Sequence, residues 1–396
     1  MANSATASLL CTAAFLLSAW SASGGALNVK DFGAIADGRS DAAGAVLAAW
    51  AAACFSDGVT AVLVPAGNFL VGPVALRGPC KGPMTFRLEG TVKAPADPAA
   101  FSDEYWISFE SIDQLTVNGG GTFDGQGATA WSRGGCTGAS KCRIPPVSVR
   151  FSFVKWATID GISSIDSKFF HILISDSEHI TAQFLTVTSP ADSPNTDGVH
   201  ITRSSDITVA HSTVRSGDDC VSVGPGAAGL LVVNVTCGPG HGISVGSLGR
   251  YEKEEDVKNI TVKNCTVQGT QNGVRIKTWR SNYASSAYNI TFEDVVVKDA
   301  ANPIIIDQYY CPHLSCNDQP PSRVSISSVN FWNIRGTSAT KTAVNLMCSS
   351  ANPCRDVDLR DVDIYYEAGN KPVCEFSNVK PISSGIMQPA CSPSHA

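Results

Sequence analysis

Four short segments carry the side chains of greatest chemical potential in this chain. They are Asn195-Thr-Asp197-Gly, Gly217-Asp218-Asp219-Cys, Gly240-His241-Gly and Arg275-Ile-Lys277. Together they hold three carboxylates, an imidazole, a guanidinium and an ammonium. Such a set can move protons beside an anionic ligand. Carboxylates held close together cannot all ionise cheaply. Repulsion raises the pKa of at least one, which can stay protonated as a general acid, while another stays ionised and activates water. A histidine can hold that protonation pattern by hydrogen bonding. Arginine offers a planar fork to a carboxylate, and lysine a point charge. Taken singly, each segment has a plainer reading: a turn, a residue beside a disulfide, an outward strand face. The chemical reading wins only if the fold gathers all four.

A repeat in the chain does this. Runs such as Asp206-Ile-Thr-Val-Ala-His-Ser-Thr-Val and Asn259-Ile-Thr-Val-Lys-Asn-Cys-Thr-Val recur, led by Ile180, Ile207, Leu230, Ile260 and Ile290. Each unit holds short Val/Ile/Thr-rich strands broken by Gly, Asn, Asp and Ser. No unit can bury its own apolar face, so units must stack, which is the logic of a solenoid. A second strand aligns in every unit. Asp197-Gly-Val-His-Ile matches Asp219-Cys-Val-Ser-Val, His241-Gly-Ile-Ser-Val, Asn272-Gly-Val-Arg-Ile-Lys and Asn302-Pro-Ile-Ile-Ile-Asp. Alternation sends Val199/Ile201 and their counterparts inward, and His200, Ser222, Ser244 and Arg275 outward. Parallel strands lie about 4.8 Å apart. Asp197, Asp219 and His241 are therefore expected as vertical neighbours, with Asp218 alongside and Arg275 and Lys277 one coil on. Carboxyl separations of about 5–10 Å follow, and an inverting hydrolysis of a glycosidic bond needs about 6.5–9.5 Å.

The predicted fold is all-β: a single-domain right-handed parallel β-helix over residues 24–396. An Ala-rich helix from Ser40 to Cys54, N-capped by Ser40 or Asp41, closes its first coil. The chain has 396 residues, 43% of them hydrophobic, enough for a large core. Charged residues are 16%, against about 25% in typical soluble chains, which argues against disorder. A net charge of −6 offers no footprint for nucleic acid. Residues 1–23 lack charge and contain an apolar run from Leu9 to Trp20, as in a signal peptide. Beyond that segment no membrane association is expected. An oxidising compartment favours disulfides, and spacing suggests Cys54–Cys80, Cys136–Cys142, Cys220–Cys237, Cys311–Cys316, Cys348–Cys354 and Cys374–Cys391. Cys265 is left over. Sequons at Asn234, Asn259, Asn264 and Asn289 fit a secreted glycoprotein. No cysteine–histidine spacing suggests zinc, and no loop places calcium ligands at alternate positions, so no metal is expected.

The four segments, in this order, resemble the signature motifs of the polygalacturonases of glycoside hydrolase family 28. Asn28-Val-Lys-Asp-Phe-Gly-Ala and Ile306-Asp-Gln-Tyr-Tyr310-Cys resemble that family too. Gly246-Ser-Leu-Gly-Arg-Tyr and Gly269-Thr-Gln-Asn-Gly-Val-Arg-Ile-Lys-Thr-Trp look most like plant pollen-type exopolygalacturonases. The resemblance implies a right-handed parallel β-helix. It also implies inverting hydrolysis of α-1,4 bonds in polygalacturonate, exo-acting from the non-reducing end, with no cofactor. It makes Asp218 the general acid, Asp197 and Asp219 the water-activating pair, and His241 the residue that orients the acid. Arg275 and Lys277 would hold substrate carboxylates, and Tyr310 and Asn195 would also bind substrate. A secreted, monomeric enzyme acting on pectin in the cell wall is the expectation. The alternatives are endo action, a rhamnogalacturonan or xylogalacturonan hydrolase, a lyase, and a non-catalytic pectin-binding protein.

Overall fold

The structure is a computed structural model that describes residues 25–58, 60–132, 143–312, 319–366, 368–369 and 371–391. The predicted signal segment lies outside the described residues. The chain winds as a right-handed parallel β-helix. All strand pairings are parallel: eleven strands form one sheet, and the rest form a larger one. The larger sheet runs as two columns. These fuse where the strands lengthen to Ser286–Ala300, Ser325–Ser338 and Arg355–Tyr366.

The repeat read from the sequence is the observed register. Ile180, Ile207, Leu230, Ile260 and Ile290 pair in series and continue into Val329 and Val357. Val199, Val221, Ile243, Val274 and Ile304 pair in the eleven-stranded sheet. These residues are buried in one continuous core. Each coil stacks its like residues on those of its neighbours, which produces aromatic as well as aliphatic ladders. Phe292 and Phe331 pair in register and stack face to face with centroids 5.2 Å apart.

The capping helix covers the first coil, but it spans Ala43–Cys54, not Ser40–Cys54. Ser40 and Asp41 belong to the strand Asp37–Asp41. The N-cap position is Ala42, without a side-chain cap. Asp41 acts from one residue earlier: its carboxylate accepts the N–H groups of Ala43 and Gly72, both at 2.9 Å. Tying the helix start to the next coil outweighed the local capping preference.

Disulfides join Cys54–Cys80, Cys220–Cys237, Cys348–Cys354 and Cys374–Cys391 as expected. Cys311 is disulfide-bonded, while its expected partner Cys316 lies outside the described residues, as do Cys136 and Cys142. Cys265 is buried and unpaired.

Because the core is a stack of identical contacts, removing one large ring opens a cavity that neighbouring coils cannot fill. Phe331→Ala is expected to lower unfolding free energy by about 3–5 kcal/mol in a urea titration. A loss under about 1 kcal/mol would show that the aromatic ladder does not carry the core.

Candidate active site

The acidic and basic segments meet on the outer face of the eleven-stranded sheet. Asp197 precedes the strand Val199–Thr202, and Asp219 opens the strand Asp219–Val223. The pairing of Val199 with Val221 sets these two carboxylates on neighbouring coils. The turn before Asp219 is anchored by the Gly217 N–H, which donates to Thr196 Oγ1 at 3.0 Å. Behind it, the Cys220–Cys237 disulfide ties the strand start to the next turn.

The third coil departs from the expected register. Val221 pairs with Ile243 as aligned, but Asp219 lies opposite Gly242 rather than His241. Between these two pairs the earlier coil carries one residue more, Cys220, which forms the bulge, while Gly240 and Gly242 flank His241 in left-handed backbone with φ of +123° and +88°. A Cβ at Gly240 would come within 2.4 Å of the Asp218 carbonyl oxygen, so no side chain fits there. The shift moves His241 from Asp219 to Asp218. Its N–H donates to the Asp218 carbonyl at 2.8 Å, and its Nδ1 lies 2.7 Å from Asp218 Oδ1.

Arg275 and Lys277 reach down onto Asp219. Arg275 Nη2 donates to Asp219 Oδ1 at 2.8 Å, and Lys277 Nζ donates to Oδ2 at 2.7 Å. Ser244, on the coil between, donates to Asp219 Oδ1 at 2.7 Å and accepts from Arg275 Nε at 2.9 Å. All three charged groups are buried. Where the sequence suggests that Arg275 and Lys277 hold substrate carboxylates, each here gives a donor to a carboxylate of the protein.

The electrostatics separate the three acids. Burial alone would raise Asp219, but Lys277 and Arg275 outweigh it and hold Asp219 near 2. Asp197 is raised well above the ordinary value by burial and then by the negative charges of Asp218 and Asp219. Ser222 Oγ donates a hydrogen bond to its Oδ2 at 2.5 Å. Ser222 in turn meets Nδ1 of His200 at 2.7 Å. Burial and the Lys277 charge lower His200 to about 4. Asp218 is the most open of the three: its side chain is 18% exposed, against 1% for Asp219. The arrangement therefore offers an open carboxyl held by a histidine, a buried basic carboxylate, and a third carboxylate locked as an anion.

Asp218, Asp219 and His241 also bring one ligand atom each within 4.8 Å of one another, close enough to hold a metal ion. The chemistry does not fit, because both Asp219 oxygens are already covered by cations. A divalent ion would have to displace Arg275 and Lys277.

Tyr310 faces the same place, with Lys277 Nζ 5.2 Å and Arg275 Cζ 5.9 Å from its ring centre. The adjacent Tyr309 points instead toward Arg280 and the Cys348 carbonyl. Asn195 is half-buried at φ +53° and lines a pocket with Lys168, Phe169 and Arg250. Ser222 and Ser244 were legible as outward-facing, but their grip on the carboxylates was not. Trp279, edge-on to Tyr310 at 5.2 Å, was also missed; it ends the strand that carries Arg275 and Lys277.

Fold and site together define a polysaccharide hydrolase on a β-helix, and the chain belongs to glycosyl hydrolases family 28, whose family model matches residues 54–391. Among curated relatives it is 47% identical over 370 residues to an exopolygalacturonase of Platanus acerifolia, covering 93% of this chain and 98% of that one. It is 44% identical over 361 residues to an exopolygalacturonase of Oenothera organensis, covering 90% and 99%. In fold it is similar to the endo-xylogalacturonan hydrolase from Aspergillus tubingensis, with a TM-score of 0.75, 24% identity and coverage of 89% of this chain and 98% of that one. The polygalacturonase from Erwinia carotovora has a TM-score of 0.71 at 23% identity, covering 90% and 96%.

The raised pKa of Asp197 has a stability signature. The folded state keeps a proton there that the unfolded chain releases above its ordinary value of 3.8. That stabilisation is present below the ordinary value and lost as pH rises through the folded-state pKa. Asp197→Asn carries no charge to bury, so its Tm should gain on wild type as pH rises from about 4 to neutrality. Thermal unfolding across that range checks this, and a Tm difference that does not change with pH would contradict it.

Proposed function

We propose that the protein hydrolyses the α-1,4 bonds of polygalacturonate with inversion, releasing galacturonate from the non-reducing chain end. The observation that carries this reading is the cluster of Asp197, Asp218, Asp219 and His241 beside two cations and Tyr310. The exopolygalacturonases among its plant relatives support exo action.

In this reading Asp218 is the general acid. It is the carboxyl most open to the cleft, and His241 fixes its direction. Asp197 is the stronger base of the other two, because a raised pKa means a greater affinity for the proton of the attacking water. Asp219, held near 2, is a poor proton acceptor. It keeps a fixed negative charge that raises Asp197 and orients Arg275 and Lys277. When a galacturonate carboxylate enters, those two cations can be shared between it and Asp219, with Tyr310 packed against them. Arginine suits such sharing because its planar fork presents several donors.

Disulfides across several coils fit folding in an oxidising compartment, and hence secretion to the cell wall. No described helix is long and apolar enough to cross a membrane. We take the enzyme to act as a monomer, since one chain supplies every group of the site.

Asp218→Asn should lower polygalacturonate hydrolysis by at least about 100-fold in a reducing-sugar assay, while the far-ultraviolet dichroism stays unchanged. Equal rates for variant and wild type would remove the catalytic assignment. On a long galacturonan the wild type should release monomer from the first time point. A spread of oligomers would indicate endo action, and unsaturated, ultraviolet-absorbing products would indicate a lyase.

A further inference from the structure

A pocket of about 200 Å³ is lined in part by Pro194 and Asn195, the segment that leads into Asp197. Its walls include Trp131, Ile144 and Phe169, and its polar lining is Asn195, Lys168 and Arg250. The volume lies below the range of about 300–1,000 Å³ common for drug-sized ligands and suits one sugar ring. Contacts tie it to the cleft on both sides. Phe169 stacks on Phe170, which stacks on His200 with centroids 4.6 Å apart, and His200 meets the serine that holds Asp197. Arg250 lies over the Trp279 ring at 5.2 Å, and Trp279 packs on Tyr310.

The two cations of this pocket differ from those on Asp219. Lys168 is only 3% exposed, and its ammonium donates to the Gly125 carbonyl and lies 5.0 Å from the centre of the Phe101 ring. It forms no ion pair among the described residues. Burial lowers it to about 8, against the pull of Asp124 and Asp97. A buried ammonium is costly to maintain, and a ligand that adds negative charge to that of Asp124 and Asp97 would offset more of the cost. The exposed Arg250 lies over two aromatic faces, those of Tyr251 and Trp279. Trp131 and Phe169 offer apolar faces for a sugar ring.

From this we infer that Lys168 and Arg250 form the recognition site for the carboxylate of the terminal galacturonate, in a pocket sized for a single sugar. The inference rests on the exo reading above and deepens it by naming the residues that select a charged chain end. Arg275 and Lys277 then serve the sugar on the other side of the scissile bond.

The test compares trigalacturonate with an analogue whose non-reducing terminal carboxyl is a neutral methyl ester. Wild type should prefer the acid by at least about tenfold in kcat/KM, because a hydrogen-bonded charge pair is lost with the ester. Lys168→Met and Arg250→Gln should each raise KM for the acid, leave kcat within a few-fold, and shrink the preference between acid and ester. Circular dichroism establishes folding; should Lys168→Met fail to fold, Arg250→Gln decides, since its side chain lies on the surface. The inference is overturned if wild type does not discriminate, or if the folded variants keep the wild-type preference. Failure of the exo reading is separately visible, as oligomers released from long galacturonan by the wild type.

Discussion

The buried contact of Asp219 with Arg275 and Lys277 is the interaction on which the site depends. It joins residues 56 and 58 positions apart in the chain, across two steps of the coil. Taking three charges out of water is costly, and only close pairing with added hydrogen bonds offsets it. Ser244 supplies one of those bonds from the coil between. The outcome is a carboxylate held near 2. Burial lifts Asp197 most, and the negative charges of Asp218 and Asp219 add to the rise. The ion cluster and burial therefore push the two buried aspartates, Asp197 and Asp219, in opposite directions.

The β-helix makes this possible because its strand spacing is a backbone property. Parallel strands stack about 4.8 Å apart whatever the intervening turn does. Turns can then vary in length, from 23 to 39 residues between the leading positions of successive units from Ile180 to Val357, without disturbing the column. The inward Val and Ile ladders enforce register, since a slip by one residue would turn each apolar side chain outward. The outward positions are left to chemistry, and the long arms of Arg275 and Lys277 reach back over Ser244 to a carboxylate two coils away.

Much of this was legible in the sequence because the repeat is a pattern of apolar spacing. Aligning Ile180 with Ile290, and Val199 with Ile304, recovers the observed pairing, and with it the meeting of Asp197 and Asp219. The register shift beside His241 was not legible, because Val221 and Ile243 stay paired while Cys220 is an extra residue on the earlier coil. The partners of Arg275 and Lys277 were hidden for a different reason. Strand register places a Cβ, but the end of a long side chain goes where charge draws it. The start of the capping helix was misplaced because Asp41 serves a neighbouring coil as well as the helix, a tertiary demand that local spacing does not encode. The pocket of about 200 Å³ draws on Trp131, Lys168, Asn195 and Arg250, which share no motif and meet only in the folded chain.

The central claim is that Asp219 stays a permanent anion while Asp197 carries the titratable proton of the pair. Infrared difference spectroscopy of the carboxyl stretch, recorded while pH is raised from acid to neutral, tests it most directly. The account predicts a protonated-carboxyl band that persists into mildly acidic solution, is weakened by one carboxyl in Asp197→Asn and has no component from Asp219. A band undiminished in Asp197→Asn, or a protonated component assigned to Asp219, would contradict it.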